Sequence, residues 1–147
     1  SLDPQNTRAR HNLGWTYQTL GLLRYAKQCY QETLSVNPKL QGTKNCLVEV
    51  EKKIQEAQEY VTKGTQEKDP QKKRSSYKKA LEIDTTNTRA LHNLGFWHEN
   101  KNRLDRAIEL YETALKVNPE LVGTKDRLQK LYDKIGFERA DTRMDAE

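Results

Sequence analysis

TRARHNLG at residues 7–14 returns with one change as TRALHNLG at residues 88–95, and this echo organises the chain. Carried outward without a gap, residues 3–54 match residues 84–135 at 23 of 52 positions. Agreement over that length at a fixed offset marks an internal duplication, so the fold has to be sought in a repeated unit. The 147 residues are 34% hydrophobic and 32% charged, with four prolines and seven glycines. That is the balance of a helix-rich chain with a thin core, in which each unit buries its apolar face against its neighbours.

The period is helical. Leu13, Tyr17 and Leu20 form one apolar stripe, and Leu23, Ala26, Tyr30, Thr33 and Leu34 form the next, with Gly21 between them. The hairpin closes at Asn37-Pro38, because proline cannot extend a helix and pushes its predecessor out of α geometry. The second copy repeats this with Leu94 and Trp97, then Leu104, Ala107, Leu110, Tyr111, Ala114 and Leu115, and stops at Asn118-Pro119. Between the copies, Leu47, Val50, Ile54, Ala57, Val61 and Gly64 keep spacings of three and four with no breaker. This predicts one long helix over about 43–66, whose first half caps the first hairpin. Leu47, Val50 and Ile54 reappear as Leu128, Leu131 and Ile135, which predicts a closing helix over about 122–136, with 137–147 as a tail.

Little else in the sequence suggests chemistry. No apolar run has the length of a membrane span, and no signal-peptide pattern opens the chain. Cys29 and Cys46 lack ligand or disulfide spacing and read as free thiols of a reducing, intracellular (cytoplasmic) compartment. His11 and His92 are one position in two copies, and no carboxylate or cysteine stands at ligand spacing from His98, so no metal, cofactor or catalytic set is expected. The net charge of +5 is concentrated in KDPQKKRSSYKK at 68–79. Lys72, Lys73, Arg74, Lys78 and Lys79 form either a solvated helix face or a surface for nucleic acid or another anionic partner.

The pattern resembles the tetratricopeptide repeat family, a helix–turn–helix unit. Leu13-Gly14, Tyr17, Gly21, Ala26, Tyr30 and Pro38 carry the likeness in the first copy, and Leu94-Gly95, Ala107, Tyr111, Ala114 and Pro119 carry it in the second. Arg10 or Leu91 in place of an aromatic, His98 for Tyr17 and Asn102 for Gly21 depart from it. The resemblance implies an all-α, right-handed solenoid of three hairpins, at about 7–40, 54–87 and 88–121, with a closing helix. The middle unit is carried by Ala57, Tyr60, Tyr77, Ala80-Leu81 and Ile83. SLDPQN reads as the tail of another unit, so the chain is expected to be part of a longer array.

The resemblance also implies a concave groove lined by the first helix of each hairpin, and hence a scaffold or adaptor that binds a peptide or protein segment. Carried over, the lining is Arg8, His11, Asn12, Trp15, Gln18 and Thr19; then Gln55, Gln58, Glu59, Thr62, Thr65 and Gln66; then Arg89, His92, Asn93, Phe96, Glu99 and Asn100. The expected binding set is Arg8, His11, Asn12, Trp15, Gln58, Glu59, Thr62, Arg89, His92, Asn93, Phe96 and Asn100. Asn12 and Asn93 either clamp a peptide backbone or tie neighbouring helices together, and Trp15 and Phe96 are either anchors or packing. Trp97 reads as core. The family's lysine and asparagine clamp for chaperone carboxylates is not matched, since His11 and Trp15 stand in its places. The other readings are anion binding through 68–79 and self-association through an exposed end.

Overall fold

The computed structural model describes residues 4–144, with side chains as far as residue 136. Among these there are seven helices and no strand: α1 (Pro4–Thr19), α2 (Leu23–Val36), α3 (Gln41–Gln66), α4 (Pro70–Ile83), α5 (Thr88–Asn100), α6 (Leu104–Val117) and α7 (Val122–Met144). The all-α repeat expected from the duplication is present. The chain divides into two compact units, Ser1–Ala90 and Leu91–Glu147.

In the first unit α1 and α2 form the first hairpin. Leu23, Ala26 and Tyr30 of α2 meet Val50 of α3 in a buried cluster, flanked by Tyr17, Cys46, Leu47 and Ile54. The first half of α3 thus caps the hairpin. The helix then runs on unbroken for 26 residues, about 39 Å at the α-helical rise. Its second half carries Ala57, Val61 and Gly64 into a second buried seam, where the Tyr77 ring of α4 lies against Gly64. In the second unit Ala107 and Tyr111 of α6 pack with Leu128 and Leu131 of α7, with Leu104, Ile108 and Leu115 at the edge.

One contact recurs three times. A Cβ on Gly14 would lie 2.7 Å from the Tyr30 ring, one on Gly64 2.6 Å from Tyr77, and one on Gly95 2.7 Å from Tyr111. Glycine is required because the tyrosine ring rests directly on the helix backbone. The second helices also end alike, with Asn37, Asp84 and Asn118 all extended at φ −138°, −136° and −140°. Each side-chain oxygen accepts the N–H two residues on, from Lys39, Thr86 and Glu120, which turns the chain toward the next helix.

The turns explain one departure from the family pattern. Gly21 has φ +73° and its counterpart Asn102 has φ +57°. Asparagine is among the few side chains that tolerate this left-handed region, so the exchange preserves the turn. The middle hairpin turns differently, with Asp69 accepting the N–H groups of Gln71 and Lys72 and Pro70 opening α4.

Three expectations need correction. The middle unit does not hold a 34-residue register: Gly64, rather than Val61, meets Tyr77, so its first helix is slipped by three residues and ends a turn early. Leu13 and Leu20 are 47% and 61% exposed, so of the stripe on α1 only Tyr17 packs against the core, although the counterpart Leu94 is buried. The closing helix continues past 136 to Met144, because Gly136 alone lowers helix propensity by only about 1 kcal/mol and no proline follows.

Candidate functional site

The duplicated histidines are the first residues whose role the geometry defines. His11 Nδ1 lies 2.9 Å from Thr43 Oγ1 at the start of α3, and His92 Nδ1 lies 2.8 Å from Thr124 Oγ1 at the start of α7. Each ring also tilts against the tyrosine of its own hairpin, with centroids 5.5 Å apart for His11 and Tyr30 and 5.4 Å for His92 and Tyr111. Each histidine therefore ties the first helix of its hairpin to the helix that follows the hairpin. The tyrosine hydroxyls donate onward, Tyr30 to Gln18 and Tyr111 to Glu99, each at 2.7 Å. Glu99 meets Arg127 at 3.3 Å, and the Arg127 guanidinium stacks 4.3 Å from the Phe96 centroid.

Burial chiefly, with the Arg127 charge added, holds the His92 imidazole below its ordinary pKa. A depressed histidine keeps its contribution to stability above its unfolded value of 6.5 and loses it as pH falls through the folded one. Urea midpoints measured between pH 7 and pH 5 should therefore fall more steeply for the wild type than for His92→Gln. Parallel curves would remove this tie from the account.

The asparagines behave differently. Asn12 is exposed and Asn93 half-buried, and among the described residues neither side-chain amide has a hydrogen-bond partner. The expectation that they tie helices together is not met. Trp15 and Phe96, three residues on, are 58% and 40% exposed, whereas Trp97 is buried at 7%. Arg8, Arg89 and Asn100 are also exposed.

The middle set is not brought to the same place. His11 fixes the level of α1 at Thr43, and Thr62 lies 19 residues further along α3, about 28 Å at the α-helical rise. The three-residue slip also changes the correspondence. Gln58 takes the place of Arg8, Val61 that of His11 and Thr62 that of Asn12, while Glu59 matches none of them. Gln58 is half-buried, and Glu59 and Thr62 are exposed. Thr62 donates its hydroxyl to the Gln58 carbonyl at 3.1 Å. Of the basic residues, Lys72, Lys78 and Lys79 are exposed, Lys73 and Arg74 are half-buried, and Lys79 Nζ lies 5.8 Å from the Tyr60 centroid.

Sequence reasoning missed Asp84. The carboxylate is buried, accepts the N–H and hydroxyl of Thr86 at 2.9 and 2.6 Å, and meets the N–H of Leu23. Thr86 Oγ1 in turn accepts the Arg24 N–H at 3.0 Å, and Thr85 donates both N–H and hydroxyl to the Gly21 carbonyl. The connection from α4 to α5 thereby caps α2, which has no side-chain cap of its own. Among the described residues no three His, Cys, Asp or Glu side chains are grouped to hold a metal, and no helix is long and apolar enough to cross a membrane.

Tetratricopeptide repeat models match residues 7–40 and residues 88–121. No curated protein matches the sequence. Similar solved structures include the first such domain of Spaghetti (RPAP3) bound to the HSP90 peptide SRMEEVD, at 16% identity and a TM-score of 0.43, covering 92% of this chain and 97% of that one. The MamA protein aligns at 19% identity and a TM-score of 0.45, covering 96% of this chain and 70% of that one. The Arabidopsis OM64 domain aligns at 17% identity and a TM-score of 0.42, covering 86% and 94%. Matched by the repeat models and built as the helical hairpins described above, residues 7–40 and 88–121 are two tetratricopeptide repeats.

Proposed function

We propose that the chain is a non-catalytic protein-interaction module that binds a peptide or protein segment through the exposed faces of its first helices, as a scaffold or adaptor. The observation that carries this reading is the pair of unpartnered amides, Asn12 and Asn93, each followed one turn later by an exposed aromatic, Trp15 or Phe96. An amide donates and accepts at once, which suits the alternating N–H and C=O of an extended peptide. An aromatic beside it offers area at low conformational cost. Arg8 flanks the first pair and Arg89 precedes the second on α5.

A peptide selected by display against the immobilised chain supplies the probe. Replacing Asn12 or Asn93 with alanine is expected to remove about 1 kcal/mol of binding at that site, about fivefold in its Kd, with the fold intact. Unaltered affinity, combined with loss of binding when Lys72, Lys73, Arg74, Lys78 and Lys79 are neutralised, would transfer the function to the basic face of α4. Steep salt dependence would accompany that outcome.

A further inference from the structure

Between the N-terminus of α2, the middle of α3 and the connection from α4 to α5 lies a cleft of about 320 Å³. Its walls include Arg24, Lys27, Ile54, Gln58, Thr86 and Arg89. Three cations therefore share one concavity, and their neighbours determine its charge. Lys27 is paired with Glu51 at 3.2 Å. Arg24 and Arg89 are exposed, and among the described residues neither has a carboxylate within 4 Å. The remaining lining acid, Asp84, is occupied by Thr86 and Leu23. The first N–H groups of α2 are likewise taken, by Asp84 and Thr86. The attraction for an anion thus resides in the two guanidinium groups.

We propose that this cleft receives a carboxylate side chain of an acidic peptide segment. Arg24 and Arg89 donate to the carboxylate oxygens, the pairing for which the guanidinium fork is shaped. Gln58 faces the adjoining peptide group, and Ile54 covers the methylene stem. A single negative charge fits better than a phosphate dianion, because Asp84 lines the same cleft and Glu51 already offsets the charge of Lys27. The proposal rests on the interaction-module reading and shares Arg89 with it, but Arg24, Lys27 and Thr86 lie outside that reading, so one can fail while the other stands.

The test is an amide NMR titration of the whole chain with a blocked heptapeptide alternating glycine and glutamate. Its glutamine counterpart and inorganic phosphate serve as comparisons at equal concentration. The glutamate peptide should move the amides of Arg24, Lys27, Gln58, Thr86 and Arg89, and the other two should leave them nearly unmoved. Arg24→Gln with Arg89→Gln should weaken binding at least tenfold, while Lys125→Gln, which removes an exposed cation of the second unit outside the cleft, should leave it unchanged. Arg24→Lys with Arg89→Lys keeps the charge and should weaken binding less. Equal shifts with glutamine peptide or phosphate, or shifts centred on Lys72, Lys78 and Lys79, would overturn the assignment without touching the Asn12 and Asn93 reading.

Discussion

Tyr111→Ala is expected to destabilise the protein by about 3–5 kcal/mol, the range for deleting a fully buried aromatic ring. Tyr111 is 0% exposed. Its ring lies on Gly95, faces His92 and closes the cluster of Ala107, Leu128 and Leu131. Because glycine offers no side chain to refill the space, the cavity cannot collapse from that side. Tyr111→Phe keeps the ring and loses only the hydroxyl donated to Glu99, which still holds Arg127, so its cost should be about 1 kcal/mol. Chemical denaturation of both variants separates the two contributions. Equal losses would mean that the Glu99 link, rather than ring burial, holds this hairpin. Tyr30 and Tyr77 sit on Gly14 and Gly64 in the same way, so the argument applies to all three hairpins.

That triple contact also marks how far the sequence could be read. The duplication and the helical period located both outer hairpins, and unbroken spacing from Leu47 to Gly64 predicted the long helix that α3 forms. The second helices of the outer hairpins were legible because each ends at an Asn-Pro pair, whereas the middle one ends at Asp84 with no proline after it. The middle first helix was not, since a 34-residue unit supposes a helix that runs as far beyond its glycine as α1 and α5 do beyond Gly14 and Gly95. Asp69-Pro70 instead starts α4 directly, and a turn of α3 is missing. The glycine, rather than the spacing, carried the correct alignment.

The contacts of the histidines were hidden for a related reason. A polar residue repeated on a first helix looks available to a ligand unless its partner is known, and Thr43 and Thr124 lie 32 residues away. The signal was present, however. GTK at 42–44 and again at 123–125 is duplicated alongside the histidines, and two polar motifs conserved between copies at one separation are what a tie between helices leaves behind. The asparagines have no such companion. Exposure of Leu13 and Leu20 was beyond sequence reading altogether, because a helix period reveals an apolar stripe and not whether another element covers it.

Asp84→Ala should be the most damaging polar substitution in the first unit, with a loss of about 2–4 kcal/mol as buried donors are left without an acceptor. Leu23 N–H, Thr86 N–H and the Thr86 hydroxyl all converge on this carboxylate. Without it the connection that covers the end of α2 loses its anchor, although Thr85 still holds Gly21. Asp84→Asn retains an acceptor oxygen and should cost less. The pH dependence distinguishes charge from hydrogen bonding. Burial raises the Asp84 carboxyl above its ordinary 3.8, against the lowering effect of its donors. A carboxyl raised in the folded state holds its proton longer there than in the unfolded chain, so its contribution is greatest below 3.8 and declines as pH rises through the folded value. The stability difference between wild type and Asp84→Asn should therefore narrow from pH 3 to pH 7 in urea unfolding. A difference that widened over that range would mean that the donors outweigh burial and that α2 is capped by a carboxylate stabilised in its charged form.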